Sequence, residues 1–149
     1  MPIVELASRP DLSYYDRDGY IRDGATMPSL HDADAALPLT PVVLHILLAL
    51  VDARPGKHGY AIAREVEELT DDRIRMGPGT LYGSIQRMLD AGFIEESARR
   101  ARAADDDERR RYYRLTPFGR RVLELEVSRL AEVVAIARRK QLLRAPELA

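Results

Sequence analysis

The sequence predicts a mostly α fold with a small β-hairpin (α+β), a winged helix-turn-helix domain followed by a long C-terminal helix. Three observations carry that expectation. Apolar residues recur at helical spacing in four segments after residue 40. Two short strand-like runs flank a charged loop. Proline, glycine and Thr-Pro pairs punctuate the chain where such elements must start and stop.

Thr40-Pro41 has the form of a helix start, with a hydroxyl able to cap orphan amides and proline at the first helical position, where no donor is needed. Val42 to Val51 follows as a first helix, apolar nearly all round and so expected to be buried on most sides. Asp52-Ala53-Arg54-Pro55-Gly56 stops it. A second helix begins near His58-Gly59-Tyr60, where Ile62, Val66 and Leu69 share a face and Arg64, Glu65, Glu67 and Glu68 lie mostly outside it. After the connection Thr70 to Met76, Gly77-Pro78-Gly79-Thr80 opens a third helix. Its buried stripe reads Leu81, Ile85, Met88 and Leu89. The opposite face carries Gly79, Thr80, Gly83, Arg87 and Asp90, with Gln86 and Ser84 at its margins. Glycine lowers helix propensity by roughly 1 kcal/mol relative to alanine. Two glycines on one exposed face therefore imply close approach of another surface.

Ala91-Gly92 closes the third helix with a residue suited to a left-handed cap. Phe93 to Ser97 reads as a strand. In the second strand, Arg109 to Leu115, the residues Arg111, Tyr113 and Leu115 alternate with Arg110, Tyr112 and Arg114. The charged loop Ala98 to Glu108 joins them into a hairpin, with Tyr112 and Tyr113 expected to pack strand against helix. Thr116-Pro117 repeats the start signal, and the chain reads as helix to about Leu143. Leu123, Val127, Leu130, Val134 and Ala137 form one stripe there, widened by Val122, Val133 and Ile136. A helix of about 26 residues spans roughly 39 Å, longer than a three-helix core of this size covers. That stripe is expected to meet a second copy of the chain, since a symmetric dimer is the commonest solution to such a face.

The formal net charge of −1 hides a split. Residues 1–38 hold three arginines against seven acids, a net of −4, whereas residues 73–121 hold twelve arginines against seven acids, a net of +5. Clustered rather than total charge is what a phosphate-binding face requires. Residues 1–38 also lack helical or strand period and are broken by six prolines and glycines, so they read as an acidic, flexible extension. Tyr14, Tyr15 and Tyr20 with Leu12 and Ile21 offer that extension a way to cover an apolar groove. The expected domains are 1–38 (extension), 39–115 (winged helix-turn-helix) and 116–149 (dimerisation helix).

The chain has no cysteine, so no disulfide framework, thiolate metal site or cysteine nucleophile is available. His31, His45 and His58 share no ligand spacing, and neither a metal nor another cofactor is expected. Met1 to Glu5 shows neither a basic nor an apolar leader region, and the longest apolar run is too short for a bilayer. A cytoplasmic protein without a membrane partner is the expectation. An enzyme is disfavoured: no acid, base and nucleophile share a recognisable frame, and Gly77-Pro78-Gly79-Thr80 lacks the lysine of a nucleotide loop.

Five blocks add a resemblance. Leu39-Thr40, His58-Gly59-Tyr60-Ala61-Ile62, Gly77-Pro78-Gly79-Thr80-Leu81-Tyr82, Arg87 to Ile94 and Arg111 to Gly119 stand in an order and spacing that resemble the PadR family of bacterial transcriptional regulators. The resemblance runs from Leu39 to Leu143 and is closest to the compact branch with a single C-terminal dimerisation helix. It implies a dimeric repressor that binds double-stranded operator DNA. The acidic extension and the acidic run Asp105 to Glu108 depart from the family's pattern.

The second helix of a helix-turn-helix enters the major groove, about 12 Å wide, with its N-terminal end toward base edges. The residues expected to face that groove are Thr80, Gly83, Ser84 and Arg87. Tyr82 is expected to pack its ring beside the buried stripe and turn its hydroxyl to backbone phosphate. Lys57 and Tyr60, at the start of the second helix, are expected on the flanking phosphates. The wing arginines Arg99, Arg100, Arg102, Arg109 and Arg110 would add electrostatic affinity. A small apolar or aromatic effector between the long helices of a dimer would relieve repression. The competing reading is a winged helix used as a protein-interaction module without specific DNA binding.

Overall fold

A computed structural model describes residues 29–54, 56–97 and 110–144. The elements in chain order are a 3₁₀ segment Leu30–Ala36, α1 (Pro41–Leu50), β1 (Lys57–His58), α2 (Gly59–Leu69), α3 (Pro78–Asp90), β2 (Ile94–Glu96), β3 (Tyr112–Leu115) and α4 (Pro117–Arg139). The helix starts follow the residues that announce them. Thr40 Oγ1 accepts from Val43 N at 3.3 Å and Thr116 Oγ1 from Gly119 N at 2.9 Å, each with proline at the first position. His58 caps α2, its Nδ1 accepting from Ala61 N at 3.2 Å. Gly92 takes the left-handed conformation (φ 77°) after α3.

α1, α2 and α3 pack around Ile46, Leu47, Leu50, Ile62, Val66, Leu81, Ile85 and Met88, with Ile94 and Tyr113 closing the core from the sheet. α1 is buried on fewer sides than its composition implies. Ile46, Leu47, Ala49 and Leu50 are interior, while Val42, Val43, Leu44 and Leu48 are only partly covered.

The sheet has three strands rather than the expected two, in the order β1-β3-β2. β3 pairs antiparallel with β1 (Lys57↔Tyr113) and with β2 (Glu95↔Arg114). A two-residue strand has no period to read, so the sequence shows only the start of α2 there. Across the second pair, Arg114 Nε donates to Glu95 Oε1 at 2.9 Å.

α4 leaves this domain at a close crossing. Thr116 N donates to Phe93 O at 3.0 Å and the Thr116 hydroxyl also reaches the Gly92 carbonyl, so the strand end and the helix cap are one junction. Gly119 sits directly over it: a Cβ there would lie 1.9 Å from Phe93 O. α4 stops at Arg139, short of Leu143, because Gln141 turns left-handed (φ 61°) and Leu142 N bonds back to Ala137 O at 2.9 Å.

Two boundaries differ from the sequence reading. Within the extension, residues 29–36 are ordered against α4: Ala33 is buried with Phe118 and Val122, and Asp32 Oδ2 accepts from Ser29 N at 3.1 Å. The short apolar pattern of Ala33, Ala36 and Leu37 is too sparse to announce a helix alone and is fixed by the α4 surface. Leu123, expected in the dimer seam, is 4% exposed and belongs to the core of the single chain.

Candidate nucleic-acid interface

α2 and α3 form the helix-turn-helix. Asp71 (φ 47°) and Asp72 (φ 61°) occupy the left-handed region that reverses the chain between them, a conformation aspartate tolerates better than most residues. Thr70 holds the turn from inside, its hydroxyl donating to Val66 O at 2.8 Å and accepting from Ile74 N at 3.1 Å.

α3 then presents its first turns to solvent. Gly77 makes no side-chain cap and Pro78 follows at the first helical position, so the first-turn amides of α3 have no capping side chain. Gly79, Thr80, Gln86, Arg87 and Asp90 are exposed, and Gly83 lies half-buried among them. A Cβ on Gly77 or Gly79 would meet nothing within 4 Å, and one on Gly83 would meet only Arg87 Nη1 at 3.8 Å. Gln86 is held by Asp90 (3.0 Å), and Arg87 Nη2 donates to Ser84 Oγ at 3.2 Å.

Two expected contact residues stand elsewhere. Ser84 is 1% exposed and falls in the buried stripe with Leu81, Ile85 and Met88. It lies three and four residues from members of that stripe, and its small side chain fits there. Lys57 is also committed within the protein: its Nζ donates to Ala49 O at 2.8 Å and forms an ion pair with Glu65. It fastens the end of α1 to α2 and does not project toward a flanking phosphate. Arg99, Arg100, Arg102 and Arg109 lie outside the described residues, as does the acidic run Asp105 to Glu108.

Tyr60 and Tyr82 are 66% and 54% exposed, on neighbouring helices. The Tyr82 ring lies against Gly59, where a Cβ would come within 3.1 Å of it. Together with His58 from the cap of α2, and with Arg110, Arg111 and Tyr113 at the foot of β3, these residues line an open cleft of about 230 Å³. Arg110 and Arg111 are exposed. Arg111 lies 3.9 Å from Glu96, a well-solvated pair that leaves most of its charge available. Burial pushes the Tyr113 phenol above its ordinary pKa, with the Glu96 carboxylate adding to the effect and Arg111 opposing it. Arg111 and Tyr113 were not among the expected contact residues. The pairing of Lys57 with Tyr113 brings them to the start of α2, and the two-residue β1 gave no sign of it.

At the far end of α4 the stripe is open. Val127, Val133, Val134 and Ile136 are 39–50% exposed, Leu130 and Ala137 are half-buried, and Leu142 and Leu143 follow at 76% and 47%. One polar residue on this helix is buried instead. Glu126 is 1% exposed, accepts two bonds of 2.8 Å from Arg129, and accepts the Leu39 amide at 3.3 Å. The hydrogen bonds from Arg129 hold its carboxyl below the usual carboxylate range. No helix among the described residues is long and apolar enough to cross a membrane.

A helix-turn-helix followed by a β-hairpin, with a small polar recognition-helix face and arginines beside it, defines a winged-helix domain of the class used by transcription regulators. Residues 47–125 match the model of the transcriptional regulator PadR-like family, more than half of the chain, and the chain belongs to that family. It is a family of regulators, not of enzymes.

A PadR family transcription regulator from Clostridium difficile has the same fold at 22% identity (TM-score 0.56, covering 68% of this chain and 99% of that one). A transcriptional regulator from Clostridium thermocellum matches at 24% identity (TM-score 0.52, 66% and 87%). An uncharacterised 37.1 kDa protein carried in a transposon of Streptomyces fradiae is 35% identical over 88 residues, 59% of this chain. The chain spans 22% of the length of that curated relative.

Proposed function

We propose that the chain is a sequence-specific DNA-binding repressor that acts as a homodimer. The observation that carries this reading is the bare face of α3. Gly79 and Gly83 leave it low enough for the helix backbone to approach base edges, and Thr80 and Arg87 supply the polar groups that read them. Arg87 releases Ser84 and pairs with guanine or a groove phosphate. Tyr60, Tyr82 and Arg110 border this face and contact the backbone on either side, fixing register without reading sequence.

The open stripe Val127, Leu130, Val134 and Ala137 is the dimer seam, extended by Val133 and Ile136. Two recognition helices related by a two-fold axis read half-sites about 34 Å apart. The partly covered outer face of α1 and the open half of α4 would enclose an apolar or aromatic effector that relieves repression.

The test is the Arg87→Ala variant on a duplex selected from a random pool by the wild-type chain. Loss of a base contact lowers affinity for that duplex by about 1–3 kcal/mol, roughly fivefold to 150-fold, with an unchanged circular dichroism spectrum. Equal affinity of variant and wild type would remove Arg87 from the interface.

A further inference from the structure

The cleft at the foot of β3 is lined by donors. Arg110 and Arg111 bring two positive charges, and Tyr60 and Tyr82 bring hydroxyls from two helices. Gly59 and Tyr60 belong to the first turn of α2, where an α-helix has N–H groups without intrahelical partners and a partial positive charge. Among the described residues no carboxylate lines the cleft; Glu96 stands outside it, beside Arg111.

Tyr113 supplies the second, independent observation. It lines the cleft and is 4% exposed, yet its hydroxyl makes no hydrogen bond with any of the described residues. A hydroxyl that lines the cleft without a protein partner can donate to a ligand oxygen placed there. Its raised pKa keeps it a donor. The complement of such a lining is a compact anion with several acceptor oxygens, and about 230 Å³ open on one side holds a phosphate group with its ester oxygens.

We propose that this cleft seats one phosphate group of the DNA backbone, beside the groove that α3 enters. The assignment rests on the DNA-binding reading above and adds Tyr113 and Arg111 to it. Tyr113 and Tyr82 donate to the phosphate from below, Arg111 and Arg110 neutralise it, and Gly59 keeps the floor flat.

Two measurements on the full chain separate the cleft from that reading. In the first, inorganic phosphate is titrated at constant ionic strength against chloride, with backbone amides and arginine Nε groups followed by NMR. Saturable shifts confined to Gly59, Tyr60, Arg110 and Arg111, and abolished in Arg111→Gln, are expected. Shifts spread evenly over the protein's arginines would overturn the site. In the second, the selected duplex is bound by Tyr113→Phe and Arg111→Gln. The hydroxyl deletion is expected to lower affinity about three- to tenfold for all sequences alike, and Arg111→Gln to reduce the slope of log K against log salt by about 0.9. Arg111 is exposed, so its variant is informative even if Tyr113→Phe folds poorly. Duplex affinity unchanged in both variants overturns the cleft while the DNA reading stands. Saturable phosphate binding by a chain without duplex affinity overturns the backbone assignment and makes the cleft a site for free phosphate.

Discussion

Gly79 and Gly83 sit on a helix face where a methyl group would meet little, so stability alone gives no reason for them. Replacing each by alanine is expected to raise folding stability by up to about 1 kcal/mol while weakening binding to the selected duplex. Urea unfolding and DNA titration of the same two variants check the opposition, and a variant that gains stability with unchanged DNA affinity would show the face does not touch DNA. Glu126 makes the converse point for a buried group. Its folded pKa lies below its unfolded value, so its contribution to stability is full above the ordinary carboxylate range and is lost as pH falls through the folded value. Glu126→Gln should therefore unfold at lower urea than wild type at pH 7, and the gap should close in acid. A gap of equal size at every pH would mean the charge plays no part. At this scale the sequence announced the caps Thr40 and Thr116, because capping needs only a local hydroxyl. It misplaced Ser84 and Lys57, whose surroundings are set by the packing of α3 and by the tertiary partner Glu65. Nothing in the stripe around Glu126 foretold that a carboxylate would be buried there by the Leu39 amide and Arg129.

Among elements, the helices were legible because each carries an apolar period and a start signal. β1 was not, since two residues show no alternation and gain their conformation only by pairing with β3. The 3₁₀ segment Leu30–Ala36 was hidden for a similar reason: it takes its shape from contact with Phe118 and Val122 on α4. The junction between sheet and α4 depends on a contact that sequence alone could not display, the backbone of Phe93 against Gly119. Alanine at 119 cannot be accommodated by moving a flexible side chain, because the obstacle is a carbonyl. Gly119→Ala is expected to destabilise by about 3 kcal/mol or more, read as a large drop in thermal midpoint. A drop within error of wild type would mean that α4 does not cross Phe93 as described.

For the whole molecule, the near-neutral charge resolves into acidic and basic regions, and α4 carries an open apolar half. Val127→Glu with Val134→Glu places charges in the proposed seam, at positions 45% and 39% exposed in the single chain. The pair should convert a dimer to a monomer in sedimentation equilibrium with helix content retained; persistence of the dimer would move the seam elsewhere. A monomer presents one recognition helix, so the same variant should also lose affinity for a two-half-site duplex. Whether this fold meets the phosphates of duplex DNA is read from the equilibrium affinity of the full chain for the selected duplex across a salt series. A linear fall of log K with log salt, at about 0.9 per phosphate neutralised, is predicted. Affinity that does not change with salt, or no measurable affinity at low salt, would contradict it and favour a winged helix used to bind another protein.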